Sequence, residues 1–140
     1  MRLDEGEALR RFRAARVARL ATVSAAGQPH LVPVTFALAP DEPVVVIAVD
    51  HKPKTTTNLR RLRNIAADDR VCLLADEYDE DWTQLWWARL DGTARILTAD
   101  ADRALPIAWL TAKYPQYQDV PPAGPVIRVH AATVSGWSFG

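Results

Sequence analysis

The chain has 140 residues, and its 17 Lys and Arg balance 17 Asp and Glu, giving a formal net charge of zero. That balance excludes a strongly polycationic nucleic-acid binder, and a hydrophobic share of 49% excludes a disordered chain. A lone cysteine, Cys72, excludes an internal disulfide and a multi-cysteine zinc site, and no apolar run is long enough to cross a bilayer. With no signal-peptide core in the first 13 residues, the expectation is one cytoplasmic domain, residues 1–140, with neither nucleic acid nor membrane as partner.

Asp4, with Glu7 three residues on, makes a capping-box start for a helix that ends before Val17. Val17–Val23 alternates as a strand, Ser24–Pro29 carries turn chemistry with Gly27 free to take positive φ, and His30–Leu38 reads as the second arm of a hairpin. Pro33 inside that arm marks an edge, a bulge, or a place where something other than a strand lies alongside. Val44–Asp50 is nearly all apolar, as expected of a strand buried on both faces. A helix from about Thr55 to Ala67 follows, then a strand at Val71–Ala75 and an acidic loop at Asp76–Asp81. Leu85–Leu97 reads as a long strand or hairpin and Asp100–Tyr114 as a helix. A Pro-rich loop at Pro115–Pro125 leads into one or two strands over Val126–Phe139. Strands dominate without regular alternation with helices, and no nucleotide-binding glycine motif occurs. The expected fold class is mainly β, a small antiparallel barrel with flanking helices.

The most informative stretch is Lys52–Arg63, with five cations, three consecutive threonines and no acid. It lies where a buried strand hands over to a helix N-terminus, which offers free N–H groups and a positive dipole end. Lys52 and Lys54 with the hydroxyls of Thr55, Thr56 and Thr57 therefore describe an anion site, most naturally for a phosphate; a solvated basic helix face with Thr55 as cap is the alternative. Among five tryptophans, Trp82, Trp86 and Trp87 cluster after the acidic loop. Trp82 and Trp87 are candidates to stack on a ring; the competing expectation puts one of Trp86 and Trp87 in the core and the other at a subunit contact. His30, His51 and His130 fall on different elements without metal-ligand spacing, and Cys72 reads as a small core residue. With no nucleophile motif, any redox chemistry has to come from a bound cofactor.

The Val17-Ala18-Arg19-Leu20-Ala21-Thr22-Val23 and Gly27-Gln28-Pro29-His30-Leu31-Val32-Pro33-Val34 segments resemble the opening of the split β-barrel flavin and deazaflavin proteins, relatives of pyridoxamine 5′-phosphate oxidase. Asp50-His51-Lys52-Pro53-Lys54, Arg61-Leu62-Arg63-Asn64-Ile65 and Leu85-Trp86-Trp87 are similar to the coenzyme F-420-dependent branch of that class. The resemblance implies an FMN-binding-type split barrel, a homodimer with cofactor sites between subunits, and a flavin-like ring along Pro33, Val34 and Thr35. It places the cofactor phosphate on Lys52, Lys54, Thr55–Thr57 and Arg60 or Arg61. The implied activity is hydride transfer from reduced coenzyme F-420, an 8-hydroxy-5-deazaflavin, to a small conjugated acceptor. The alternatives are FMN as the cofactor, or a barrel that carries or stores FMN, F-420 or haem without turnover. No catalytic side chain is assigned.

Overall fold

The computed structural model describes residues 1–49 and 56–140, with backbone alone for 56–59. Helix α1 spans Glu5–Ala14, and the Asp4 carboxylate accepts from the Glu7 amide to cap it. The strands are β1 (Ala18–Val23), β2 (Pro29–Val34), β3 (Ala37–Leu38), β4 (Val44–Ala48), β5 (Arg70–Glu77), β6 (Trp86–Leu97) and β7 (Val126–Ser138). Three further helices complete the fold, α2 (Thr56–Ala67), α3 (Asp100–Lys113) and α4 (Pro115–Asp119). The mainly β reading holds, with a seven-stranded antiparallel sheet in the order β2-β1-β5-β6-β7-β4-β3.

The two edges of this sheet, β2 and β3, are consecutive in the chain and separated only by Thr35 and Phe36. The three Cα steps from Val34 to Ala37 reach no more than about 10 Å, so the sheet must curl until its edges come close. The arm read as one strand from His30 to Leu38 is thus two strands. Its first part pairs with β1 and its second with β4, and the chain changes partner at Thr35-Phe36. Pro33 sits opposite Arg19 on the edge strand, where a missing N–H costs the sheet nothing.

Burial explains the apolar run of β4. Val45, Ile47 and Val49 face the barrel core with Phe12, Phe36, Leu20, Leu73 and Leu90. Val44, Val46 and Ala48 face a second core made with Leu110 and Tyr114 of the α3 region. The Phe12 and Phe36 rings, 4.8 Å apart, fix α1 over the barrel at the point where the chain changes edge.

Several local expectations are corrected. Glu7 does not complete a capping box, because its carboxylate is taken by Arg10 and Arg11. Asp76 and Glu77 belong to β5, opposite Trp87 and Trp86, so the acidic loop begins after them. Of the alternatives left open, Leu85–Leu97 holds one strand and Val126–Ser138 is likewise one, with a bulge at Ala132 opposite Asp91 and Gly92. Part of the Pro-rich segment is helical, since Pro115 starts α4 at the position that tolerates a missing N–H. Cys72 alternates with the core residues Val71 and Leu73 and is half-buried on the outer face of the sheet.

Candidate functional site

Helix α2 follows β4 and lies against β1 near the start of β2. The Asn64 side chain donates 3.0 Å to the Thr22 hydroxyl in the interior, tying the helix to β1. Thr22 is opposite His30 of β2, so this one contact sets α2 beside the strand that carries Pro33. Successive helical positions then divide the arginines. Arg61 turns inward with Asn64 and Ile65 and is only 8% exposed, whereas Arg60 and Arg63 stay in solvent. Burial holds the Arg61 guanidinium below its ordinary range. Burial, and after it the charges of Arg60 and then Arg61, push His30 down as well. The cations of α2 are therefore close enough to act on a side chain of β2.

Lys52, Lys54 and Thr55 lie outside the described residues. Thr56 and Thr57 form the first turn of α2, where main-chain N–H groups have no helical partner. Of the pair Arg60 or Arg61, the structure places Arg61 in the interior and Arg60 toward the β1–β2 turn.

Val34 is buried, Pro33 is exposed on the outer face, and Thr35 is partly buried just past the strand end. The Thr35 hydroxyl shares a 2.8 Å hydrogen bond with the Tyr117 hydroxyl of α4. Beside it the Tyr114 hydroxyl accepts from the Phe36 amide at 3.2 Å and donates to the Arg16 carbonyl at 2.8 Å. Burial raises the Tyr114 phenol. Two tyrosines from α3–α4 thus fasten the two-residue link between the sheet edges. Sequence reading missed both; the only signal was their spacing of three in a segment whose prolines suggested a loop.

The tryptophans do not gather. Trp86 leans on the barrel core with Arg11 above it at 5.8 Å. Trp87 is on the outer face opposite Trp137, with Arg89 5.8 Å over its ring. Trp82 is 66% exposed in a short 3-10 turn capped by Asp81, whose carboxylate accepts from the Thr83 amide and hydroxyl. Three strand spacings, about 14 Å along the sheet, separate Trp87 from Pro33. His130 is exposed on β7, and among the described residues no three His, Cys, Asp or Glu side chains form a metal-binding group. No described helix is long and apolar enough to cross a membrane.

Comparison with known proteins agrees with the fold. The family profile described as Pyridoxamine 5′-phosphate oxidase matches residues 5–138. A reductase of Streptomyces rimosus subsp. rimosus, named for 5a,11a-dehydrotetracycline and 5a,11a-dehydrooxytetracycline, is 37% identical over 66 residues. That alignment covers 47% of this chain and 44% of the reductase, so less than half of the relative is matched. A FAD-binding protein from Mesorhizobium loti superposes with a TM-score of 0.75 at 20% identity, covering 97% of this chain and 95% of its own. The heme storage protein HutZ from Vibrio cholerae gives 0.71 at 17% identity, with 97% and 95% covered. At these identities the superpositions establish the shared split-barrel fold.

Proposed function

Because the chain belongs to the pyridoxamine 5′-phosphate oxidase family, we propose that it is an oxidoreductase that uses coenzyme F-420 to reduce a small conjugated acceptor. The observation that carries this reading is the convergence of an open, proline-bearing sheet edge with the cations of α2 through the Asn64–Thr22 contact. A ligand with a planar head and an anionic tail matches that pair of surfaces. Arg61, Lys52, Lys54 and the threonines at the start of α2 would hold the tail, each charge-assisted contact contributing about 1.5–3 kcal/mol where water is excluded. The extra arginines favour a longer anion than the single phosphate of FMN. The reductase name of the Streptomyces relative supports turnover over storage.

A deazaflavin held there would supply the hydride, so the protein's own work is positioning, exclusion of water and proton handling. Main-chain groups at Pro33–Thr35 present a flat edge that no other strand occupies among the described residues. Thr35 Oγ1, held by Tyr117, can deliver a proton to the reduced acceptor while taking one from the phenol, which the solvent reprotonates at the partly exposed Tyr117. Because Trp87 lies three strands from Pro33 on the same sheet, the proposed assembly is a homodimer in which Trp87, and with it Trp82, comes from the second copy. The acceptor then enters between the two sheets.

Fluorescence titration of purified protein with coenzyme F-420, and separately with FMN, tests the reading. Micromolar binding of F-420 and oxidation of its reduced form by an enone or quinone are expected. Absence of binding at high coenzyme concentration contradicts it.

A further inference from the structure

A second basic recess lies beside the stripe of α2 that carries Arg60 and Arg63, next to the buried Arg61. It is a pocket of about 520 Å³ between the β1–β2 turn and the helix, lined by Ser24, Gln28, His30, Arg60, Arg63 and Asn64 with small neighbours. Arg60, Arg63, Asn64 and Ala67 recur at helical spacing, so one stripe of α2 faces the turn. Among the described residues no carboxylate lines the pocket. Among the described residues neither Arg60 nor Arg63 makes a hydrogen bond or ion pair, unlike Arg10, Arg11, Arg19, Arg70, Arg89 and Arg103, which all have acidic neighbours.

From the opposite wall, the Nδ1 atom of His30 is buried without a hydrogen-bond partner among the described residues. That nitrogen is turned away from solvent, so the partly buried ring meets the pocket with its remaining surface. The Ser24 hydroxyl accepts the Gln28 amide at 3.0 Å, which leaves its own proton available to donate. The same turn is held by Gly27 at φ +85°, a conformation that keeps Ser24 and Gln28 beside the helix.

We propose that this pocket is a binding site for a multiply charged phosphate oxyanion, held by Arg60 and Arg63 from the helix and by His30 and Ser24 from the β1–β2 hairpin. Two guanidinium groups three residues apart offer forked donors to different oxygens of one phosphate, a geometry that a single carboxylate would not fill. The phosphate belongs either to a free phosphorylated small molecule or to the anionic tail of the cofactor proposed above; only the second source rests on that proposed function.

The test is calorimetric titration of the full chain with inorganic pyrophosphate, alongside NMR of the histidine rings. Wild-type protein is expected to bind with a shift of the His30 ring resonances. Arg63→Ala should weaken binding at least fivefold and His30→Gln should weaken it measurably. Arg95→Ala, an exposed arginine on β6, should leave it unchanged. Stationary His30 resonances overturn the proposal, as does equal binding by Arg63→Ala and wild type, or equal loss in Arg63→Ala and Arg95→Ala. Repeating the titration with coenzyme F-420 present separates the sources. Competition assigns the site to the cofactor tail, and simultaneous binding assigns it to a separate phosphorylated molecule; both support the site.

Discussion

The hydroxyls of Thr35 and Tyr117 meet at 2.8 Å across 82 residues of sequence, at the point where the chain leaves one edge of the sheet for the other. Their bond joins α4 to the strand proposed to carry the cofactor ring. If the pair handles the proton, Tyr117→Phe should lower turnover about 10- to 100-fold while coenzyme affinity changes little. Steady-state rates beside fluorescence titration check this. Equal loss of affinity and rate would instead assign the tyrosine to binding alone. Loss of the half-buried hydrogen bond should cost only about 1 kcal/mol of stability.

Lys113 lies 3.6 Å above the Phe36 ring and donates to the Ala15 carbonyl at 2.7 Å and the Arg13 carbonyl at 3.3 Å, closing the C-terminal end of α1. Burial first, then the charges of Arg16 and Arg13, lower its ammonium from 10.5 to about 8. Folded protein therefore releases this proton before the unfolded chain does. The group's contribution to stability rises with pH between about 8 and 10.5 and is at its least favourable below 8. An NMR titration of the Lys113 side chain should show a midpoint near 8; an ordinary lysine midpoint would contradict the packing.

Hydrogen bonds from Arg10 and Arg11, the largest effects, lower the Glu7 carboxyl from 4.5 to about 2. Its folded-state pKa lies below its unfolded one, so its stabilising effect is full above pH 4.5 and fades as pH falls toward 2. Glu7→Gln should thus be slightly less stable than wild type at neutral pH and indistinguishable below pH 2. Paired thermal melts at the two pH values measure the difference.

A Cβ at Gly92 would stand 2.0 Å from the His130 carbonyl oxygen, in the bulge between β6 and β7. Backbone must move to admit it. Gly92→Ala should cost about 3 kcal/mol, the upper end for overpacking, as read by urea denaturation. An unchanged midpoint would mean that the two strands slip without penalty.

Much of the architecture was legible because its signals are local. The cap at Asp4, the turn at Gly27 and the doubly buried run of β4 each depend on a few neighbouring residues. What escaped depends on pairing across the fold. Val34-Thr35-Phe36-Ala37 looks like uninterrupted strand, and only the closing of the sheet makes Thr35-Phe36 a change of edge. Cys72 appeared to belong to an apolar core strand, yet period-two alternation turns it outward. At the candidate site the basic run was visible in the sequence. Its division into an inward Arg61 and outward Arg60 and Arg63 follows from how α2 seats on Thr22 through Asn64, which composition does not encode. The part of the run at Lys52, Lys54 and Thr55 lies outside the described residues.

A crystal structure of the protein soaked with coenzyme F-420 tests the proposed function most directly. The account predicts the deazaflavin ring against Pro33–Thr35 and the first phosphate of the tail within hydrogen-bonding distance of Arg61 or Lys54. A ring bound elsewhere, with both of those side chains clear of the tail, would contradict it.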